Sequence, residues 1–370
     1  MSSEGEAEAE AEAQYFCKDF DWEDLRAEIE ANPSFAYHLE SSSSSSSAPP
    51  ESDVQAWKQF HLRHASGKFF KERRYLLKEF PELLSCPPNS MLLEVGCGNG
   101  STALPILRFA SSLSLSLFLS VALTFAIGYY SDETFLCRAN KDLIVYACDC
   151  SDETLERAKE IISAASTDAS FKHRFRTFCC DLSTNGFPNW LACNPSQDNF
   201  LQKQSYCLSG VREDNGLHFT NLSPSEEFEC CGGGVDFVTL IFTLSAVPLE
   251  RMPKSVKECF IVLKPGGMVF FRDYGNKQNS QLIMSRGLYD MTMLRFEPDK
   301  QVGFREYMRS DGTRSYFFCL DTVRSLFLGA GFTELELDYC CVKSVNRQKG
   351  KSMQRVWVHG KFQKPALSCQ

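Results

Sequence analysis

The chain has 370 residues, of which 43% are hydrophobic and 23% charged, a composition typical of a globular protein large enough for one α/β domain with additional segments. Its net charge of −8 argues at first against a nucleic-acid partner. However, the first 53 residues contain fourteen of the 47 acidic residues and two of the 39 basic ones, so the remainder has a net charge of +4 and does not exclude nucleic acid.

The first 53 residues are predicted to be a disordered acidic and serine-rich tail. Glutamate and alanine alternate through residues 1–13, and the run Ser41–Ser47 leads into Pro49 and Pro50. Such segments bury too little apolar surface to offset the conformational entropy lost on folding. We therefore expect order to begin at Val54.

Residues 54–90 are predicted to form an N-terminal helical cap. Trp57–His61 and Phe69–Phe80 combine aromatic and basic side chains at helical spacing. Two interpretations stay open for this cap. Either it covers one end of a sheet as an ordinary amphipathic helix, or it closes over a cofactor and directs basic side chains at phosphates.

The clearest local motif of the chain is Leu92–Gly100. An apolar run ends at glycines in alternate positions, Gly96, Gly98 and Gly100, a pattern typical of a strand, a tight turn and the start of a helix. The spacing differs from the six-residue dinucleotide fingerprint. Because the acidic Glu94 could hold a cationic methionine end, the motif favours S-adenosylmethionine (AdoMet) over NAD.

The next strand is predicted at Leu143–Asp149, and Asp149 ends it where such folds bind ribose hydroxyls. Asp149 follows Gly100 by 49 residues, whereas about 20 separate the two positions in dinucleotide-binding units. The excess is residues 109–138, which include a long apolar run. A transmembrane span there would split the first βαβ unit, so we reject it. We interpret 109–138 as an insertion, either a surface segment or, preferably, the product of a wrong exon boundary.

An α/β alternation continues through the rest of the chain. Ser151–Ala165 has a helical apolar period with Ser151 as N-cap, and the strand Phe175–Cys180 leads to Asp181 and Leu182. Residues 183–234 lack periodicity and are predicted to be an inserted loop. The later predicted elements are the strand Val235–Phe242, the helix Met252–Leu263, the turn Lys264–Gly267, the strand Met268–Phe271, the helix Thr322–Leu328 and the strands Phe332–Tyr339 and Arg355–Lys361.

This order of elements predicts a Rossmann-like class I AdoMet-dependent methyltransferase domain over residues 91–366, with a mostly parallel twisted sheet and helices on both faces. The chain has 17 cysteines but no Cys-x-x-Cys spacing, so we expect no bound metal. Since no signal peptide is recognised, we expect reduced thiols in a cytoplasmic protein, with the nucleus as an alternative location, and no membrane association.

From Trp57 to Pro365 the chain resembles the tRNA 3-methylcytidine methyltransferases, the methyltransferase-like 2, 6 and 8 group. The motifs that match are Phe69–Arg73, Glu94–Gly98, Tyr146–Asp149, Ile241–Val247, Leu263–Gly266, Phe271–Gly275, Asp311–Phe318 and Arg355–Trp357. Three features depart from the family pattern. Residues 276–287 are a further insertion, the loop 183–234 is longer than usual, and His61 stands where a tyrosine is usual.

The resemblance implies AdoMet-dependent methylation of cytidine N3 in the anticodon loop of tRNA. It implies a cofactor site at Trp57, His61, Gly96, Asp149, Asp181, Leu182 and Ile241, to which the glycine motif itself adds Glu94 and Gly98. Arg272, Asp273 and Tyr274 follow a strand at the ligand-binding edge of the sheet and are expected to be catalytic, with a structural salt bridge as the alternative. The candidate phosphate contacts are Lys68, Lys71, Arg73, Arg295, Arg309, Arg314, Lys349, Lys351 and Arg355.

An aminoacyl-tRNA synthetase or another tRNA-binding protein is a candidate partner. Two other functions stay open from the sequence. One is an AdoMet enzyme that acts on a small molecule or a protein. The other is an RNA-binding protein whose catalytic pocket the insertions have disabled.

Overall fold

The computed structural model describes residues 33–38, 50–64, 72–108, 143–165, 173–193, 233–277, 288–346 and 351–366. The predicted insertion 109–138 lies outside the described residues. The loop 183–234 is described only at 183–193 and 233–234, and the segment 276–287 only at 276–277. Lys68, Lys71 and Lys349, which were predicted to contact phosphates, also lie outside the described residues.

Within the described residues the strands, numbered along the chain, are β1 Met91–Val95, β2 Ile144–Asp149, β3 Phe175–Cys179, β4 Val235–Ile241, β5 Leu263–Tyr274, β6 Asn276–Lys277, β7 Leu288–Tyr289, β8 Gln301–Gly303, β9 Glu306–Met308, β10 Arg314–Tyr316, β11 Thr333–Asn346 and β12 Lys351–Gln363. Seven of them form the central sheet in the order β11-β12-β5-β4-β1-β2-β3. The strands β1 to β5 pair in parallel, and β12 and β11 pair antiparallel at one edge. This topology confirms the predicted fold class.

The helices are α1 Pro50–Arg63, α2 Leu76–Glu79, α3 at residues 103–108, α4 Asp152–Ala164, α5 Met252–Val262 and α6 Leu320–Ala330. Ser151 caps α4 as predicted, because its hydroxyl oxygen accepts a hydrogen bond of 3.3 Å from the Thr154 N–H. The helices α5 and α6 share one core with Leu93 and Val238, and α3 and α4 share another with Leu92. Since neighbouring residues of a strand point to opposite faces, helices cover both faces of the sheet.

Two predicted boundaries differ from the structure in the antiparallel part of the sheet. The strand β5 begins at Leu263 and takes in the predicted turn Lys264–Gly267. The strands β11 and β12 extend well beyond their predicted ends. Residues 351–356 pair with β11 but not with β5. Their mostly polar sequence lacks the apolar alternation by which a half-buried strand is predicted.

The predicted helix Phe69–Phe80 is also shorter in the structure. Its described part is irregular until the single turn of α2, and a 3-10 helix at Pro81–Leu83 follows. The N–H of Arg73 donates to the Ser101 carbonyl at 2.9 Å. That hydrogen bond ties the segment to the glycine turn instead of to a preceding helical carbonyl.

Part of the segment that was predicted to be disordered packs against the domain. The helix α1 begins at Pro50, four residues before the predicted boundary, and Asp53 is buried. A 3-10 helix occupies Pro33–His38, where the buried His38 pairs through Nδ1 with the Tyr307 hydroxyl at 2.8 Å. Composition favoured disorder here because long-range partners such as Tyr307 leave no local pattern.

Eleven cysteines lie in the described residues, and all of them are free thiols. The same residues contain no group of three or more His, Cys, Asp or Glu side chains that could hold a metal ion. No helix within the described ranges is long and apolar enough to span a membrane.

Candidate cofactor and substrate site

A pocket opens at the carboxyl ends of β1 to β4, the edge where parallel sheets of this kind bind ligands. Every predicted cofactor residue except Glu94 lines it, namely Trp57, His61, Gly96, Gly98, Asp149, Asp181, Leu182 and Ile241. These residues come from four strand ends and from α1, so the fold brings together positions that lie up to 184 residues apart in the sequence.

The glycine turn after β1 shapes the floor of this pocket. Gly96, Gly98 and Gly100 have φ angles of +66°, +53° and +82°, which side-chain-bearing residues rarely adopt. A Cβ atom on Gly96 would lie 2.6 Å from Cγ2 of Thr243. The turn therefore requires glycine at this position both for backbone conformation and for space.

Asp149 ends β2 beside the glycine turn. Its Oδ2 accepts a hydrogen bond of 3.0 Å from the Gly98 N–H, and its Oδ1 accepts one of 3.3 Å from the Ser151 N–H. Each carboxylate oxygen has two lone pairs, so the group keeps acceptor capacity towards the pocket. This capacity suits a pair of ribose hydroxyls.

The helix α1 forms one wall of the pocket. Trp57 and His61 are one helical turn apart and both line the cavity. The indole Nε1 of Trp57 is buried and has no hydrogen-bond partner among the described residues, so a bound ligand could supply an acceptor. Burial lowers the pKa of His61, and the nearby Asp149 carboxylate opposes this shift.

The start of α1 is anchored by charge. Asp53 lies 3.6 Å from both Arg251 and Arg314 and is 7% exposed. Burial raises the pKa of Asp53, although the two guanidinium groups act in the opposite direction. This contact holds the helix that carries Trp57 against the rest of the pocket.

Glu94 lies behind the glycine turn and is 2% exposed. Burial raises the pKa of its carboxyl to about 7, and the positive charge of Arg73 opposes that rise. The structure therefore does not place this carboxylate on the pocket surface with the other predicted cofactor residues.

Two of the three residues predicted to be catalytic lie in the protein interior. Arg272 has no exposed surface, pairs with Glu79, and has its guanidinium carbon 4.8 Å and 4.4 Å from the ring centres of Tyr75 and Trp357. The alternative of a structural salt bridge therefore describes Arg272. The prediction of a direct catalytic contact is corrected because neighbouring elements enclose the side chain completely.

Asp273 is likewise fully buried and holds backbone in place. Its Oδ2 accepts from the Ser245 N–H and its Oδ1 from the Tyr274 N–H, both at 2.9 Å. Burial raises its pKa to about 7 despite these donors. Of the predicted catalytic residues only Tyr274 is partly exposed.

The predicted phosphate contacts separate into different environments. Arg314 is 4% exposed and pairs with Glu306 at 2.6 Å, so its prediction as an RNA contact is corrected to a structural role. Arg295 is exposed. Arg309 is half-buried and donates to the Thr313 hydroxyl at 3.3 Å, while Arg355 pairs with a buried aspartate, Asp290, at 2.9 Å.

Arg73 lies in the pocket and not on an outer helical face. Its Nη1 donates to the Thr102 hydroxyl at 3.0 Å, and its guanidinium carbon lies 5.5 Å from the ring centre of Phe242. Phe242 was not predicted as a site residue, although it lies in the matching motif Ile241–Val247. Its φ of +56° has no sequence signal, because such strain depends on tertiary contacts.

These observations test whether the pocket fits AdoMet. A carboxylate for a ribose, an indole donor without a partner and glycines that let backbone approach a ligand all converge on one cavity. The residues fit the cofactor. Fold and pocket together define this chain as a class I AdoMet-dependent methyltransferase.

The comparison with known proteins narrows this class. A family model described as a methyltransferase domain matches residues 69–337. The tRNA N(3)-cytidine methyltransferase METTL6 of Rattus norvegicus is 30% identical over 315 residues, covering 84% of this chain and 78% of that protein. METTL6 of Homo sapiens is 29% identical over 313 residues, covering 84% and 79%. The tRNA N(3)-methylcytidine methyltransferase Mettl2 of Drosophila melanogaster is 29% identical over 315 residues, covering 84% and 70%.

The chain therefore belongs to the methyltransferase-domain family and, within it, to the tRNA N(3)-cytidine methyltransferases.

Proposed function

We propose that this protein uses AdoMet to methylate N3 of a cytidine in the anticodon loop of tRNA. The observation that carries the proposal is the intact cofactor pocket in a chain similar to tRNA N(3)-cytidine methyltransferases over 84% of its length. Eight predicted cofactor residues line that pocket although the chain contains three predicted insertions. This arrangement argues against a protein disabled by those insertions.

The chemistry needs orientation more than acid–base catalysis. When bound, AdoMet supplies a methyl group on a cationic sulfur, and the neutral N3 of cytosine has a lone pair that can accept it. No side chain has to remove a proton before the attack, so a general base is not required. The protein must instead hold the base in line with the methyl group and exclude water.

Different residues of the pocket can hold the cofactor and the base. Asp149 and Trp57 would hold the ribose and other polar atoms of the cofactor, and the glycine turn admits it closely. A cytosine in a single-stranded loop is the cheapest to unstack and rotate into such a pocket. Arg73 and Phe242 occupy the part of the pocket at the end of β4, where the base could meet the cofactor.

We further propose that exposed and half-buried arginines, among them Arg295 and Arg309, contact the RNA backbone. A tRNA-binding protein such as an aminoacyl-tRNA synthetase is a candidate partner that would supply further RNA contacts. A cytoplasmic location is also proposed.

The function is tested by methylation with labelled AdoMet and total tRNA, followed by mass spectrometry of the nucleosides. We expect 3-methylcytidine in tRNA and none from free cytidine, with and without added aminoacyl-tRNA synthetase fractions. The variant Asp149→Ala is the control for dependence on the cofactor pocket. Methylation of a small molecule or protein in place of tRNA would contradict the proposal, and AdoMet binding without any methylation would point to a non-catalytic protein.

A further inference from the structure

Two aromatic rings, Phe242 and Tyr274, lie side by side at the ends of the neighbouring strands β4 and β5. Their ring centres are 5.2 Å apart, and both side chains are half-buried. Phe242 lines the pocket, whereas Tyr274 lies beyond it. We propose that these two rings form a stacking site, Phe242 for the target cytosine and Tyr274 for a neighbouring base. This inference rests on the proposed function and adds the residues that handle the base.

The backbone of Phe242 is the first observation behind this proposal. A φ of +56° is rare for a bulky residue and costs free energy in the folded state. The surrounding structure imposes it, because the Phe242 N–H donates to the Arg272 carbonyl at 2.7 Å and the Thr243 hydroxyl donates to the Val95 carbonyl at 2.8 Å. Strain of this kind is found preferentially at functional sites, and here it holds an aromatic ring at the pocket.

The packing of the two rings against other aromatic side chains is the second observation. Besides Tyr274, Phe242 contacts Trp357 edge-on, with ring centres 5.7 Å apart and planes at 74°. Tyr274 packs in turn on Phe317 at 5.6 Å. Aromatic rings that are fixed before binding lose little entropy when a base stacks on them, and stacking is the usual way in which proteins hold unpaired RNA bases.

Charge near the rings is the third observation. The guanidinium carbon of Arg73 lies 5.5 Å from the Phe242 ring centre, and that of Arg355 lies 5.5 Å from the Tyr274 ring centre. Each ring therefore has a cation beside it that can meet a phosphate next to the stacked nucleotide. Arg355 keeps its position through its ion pair with Asp290.

This arrangement also replaces the predicted role of Arg272. That guanidinium is enclosed, so it cannot touch a base without rearrangement of Tyr75 and Trp357. Its carbonyl holds the Phe242 N–H instead. The backbone carbonyl of Arg272, and not its guanidinium, therefore helps to position the ring at the end of β4.

The test uses full-length protein and a tRNA that carries the fluorescent analogue pyrrolocytosine at the methylated position. Stacking on Phe242 should change its fluorescence on binding without any turnover. In Phe242→Leu we expect that change to be lost and single-turnover methylation of normal tRNA at saturating concentration to fall roughly 5- to 150-fold. AdoMet affinity, measured by calorimetry, should stay within about twofold, and Phe242→Tyr should restore most of the rate.

Trp190→Leu is the matched control. Trp190 is 47% exposed and packs on Phe178 and Tyr146, but it does not line the pocket, so its loss should leave rate and fluorescence unchanged. Tyr274→Leu should lower the rate less than Phe242→Leu does. Thermal melting of each variant shows whether it is folded. If Phe242→Leu is misfolded, the test rests on Phe242→Tyr, which keeps an aromatic ring and should keep most of the rate and the fluorescence change.

An unchanged rate and fluorescence in Phe242→Leu would overturn the stacking site while leaving the proposed function intact. Loss of AdoMet binding in that variant would overturn it too, because Phe242 would then belong to the cofactor site. If the wild-type protein forms no 3-methylcytidine in any tRNA, the proposed function fails and the stacking site fails with it.

Discussion

Replacing Arg272 with methionine should destabilise the fold and not only slow the reaction. The change removes a guanidinium that lies between the rings of Tyr75 and Trp357 and pairs with Glu79, whose side chain is 3% exposed. The Glu79 carboxylate then keeps its contact with His359, whose Nδ1 lies 2.6 Å from Glu79 Oε1. Methionine keeps most of the apolar volume, so the experiment isolates the lost charge.

The expected loss of stability is large because both Arg272 and Glu79 are buried. Removing one member of a buried ion pair costs about 3–5 kcal/mol, since the other charge is left uncompensated. Domains of this kind have total stabilities of about 5–15 kcal/mol, so the change consumes a large share of the total. The double variant Arg272→Met/Glu79→Gln should recover most of that loss, because no unpaired charge remains.

The pH dependence of stability that Glu79 causes should have opposite signs in the wild type and in Arg272→Met. In the wild type, burial acts to raise the pKa of Glu79, but Arg272 and His359 hold it below its ordinary value. Its contribution to stability is therefore present at neutral pH and lost as the pH falls through the folded pKa. Without Arg272 burial dominates, the pKa of Glu79 rises, and mild acidification should stabilise the variant relative to neutral pH.

Urea unfolding followed by tryptophan fluorescence measures the free energy of unfolding of the wild type, Arg272→Met, Glu79→Gln and the double variant. The single variant Glu79→Gln completes a double-mutant cycle, in which we expect a coupling free energy of at least about 2 kcal/mol. A stable Arg272→Met protein that binds tRNA normally but turns over slowly would refute the structural assignment. It would instead restore Arg272 as a residue that contacts the base.

Four further outcomes are expected. Asp149→Ala should weaken AdoMet binding by about 1.5–3 kcal/mol for each charge-assisted hydrogen bond that the carboxylate makes, measured by calorimetry; equal affinity would contradict its role. Gly96→Ala should cost about 2–4 kcal/mol in urea unfolding, because φ is +66° and the added Cβ would lie 2.6 Å from Thr243 Cγ2. Glu94 and Asp273 have pKa values raised to about 7, so the unfolded state loses these protons first and stability should fall as the pH rises from about 4 to 7. Glu94→Gln should flatten that slope, and an unchanged slope would contradict the burial argument. Arg295→Ala should weaken tRNA binding and reduce the logarithmic salt slope by roughly one. Arg314→Ala should instead lower the melting temperature, because it leaves the carboxylates of Glu306 and Asp53 without their buried partner.

Sequence reasoning predicted the parallel sheet, the glycine turn and the carboxylate at the end of β2, because these depend on local patterns. Buried parallel strands are continuous apolar runs, and ligands bind where those strands end. Gly96 and Asp149 could be recognised for this reason before any distance was known. The other lining residues were predicted only through resemblance to a family, namely Trp57, His61, Asp181, Leu182 and Ile241. For Trp57 and His61 the reason is that their place in the pocket depends on how α1 packs.

The roles of the charged residues could not be predicted in the same way. Arg272, Arg73 and Arg314 are chemically identical in the sequence, yet one is fully enclosed, one lines the pocket and one pairs with Glu306. Partners such as Glu79 lie far away along the chain and carry no local signal. Whether an arginine meets solvent, a ligand or a buried acid is decided by packing alone.

The sequence by itself determined the fold class, the glycine turn and the carboxylate at the end of β2, since backbone conformation and apolar periodicity are local properties. Only the tertiary structure decided that Arg272 lies in the interior, that Arg73 lies in the pocket and that Phe242 has a positive φ. These three results depend on contacts between β4, β5, β12 and the segment before α2. Such contacts form only when residues distant in the sequence pack together, because desolvation and steric fit then outweigh local preference.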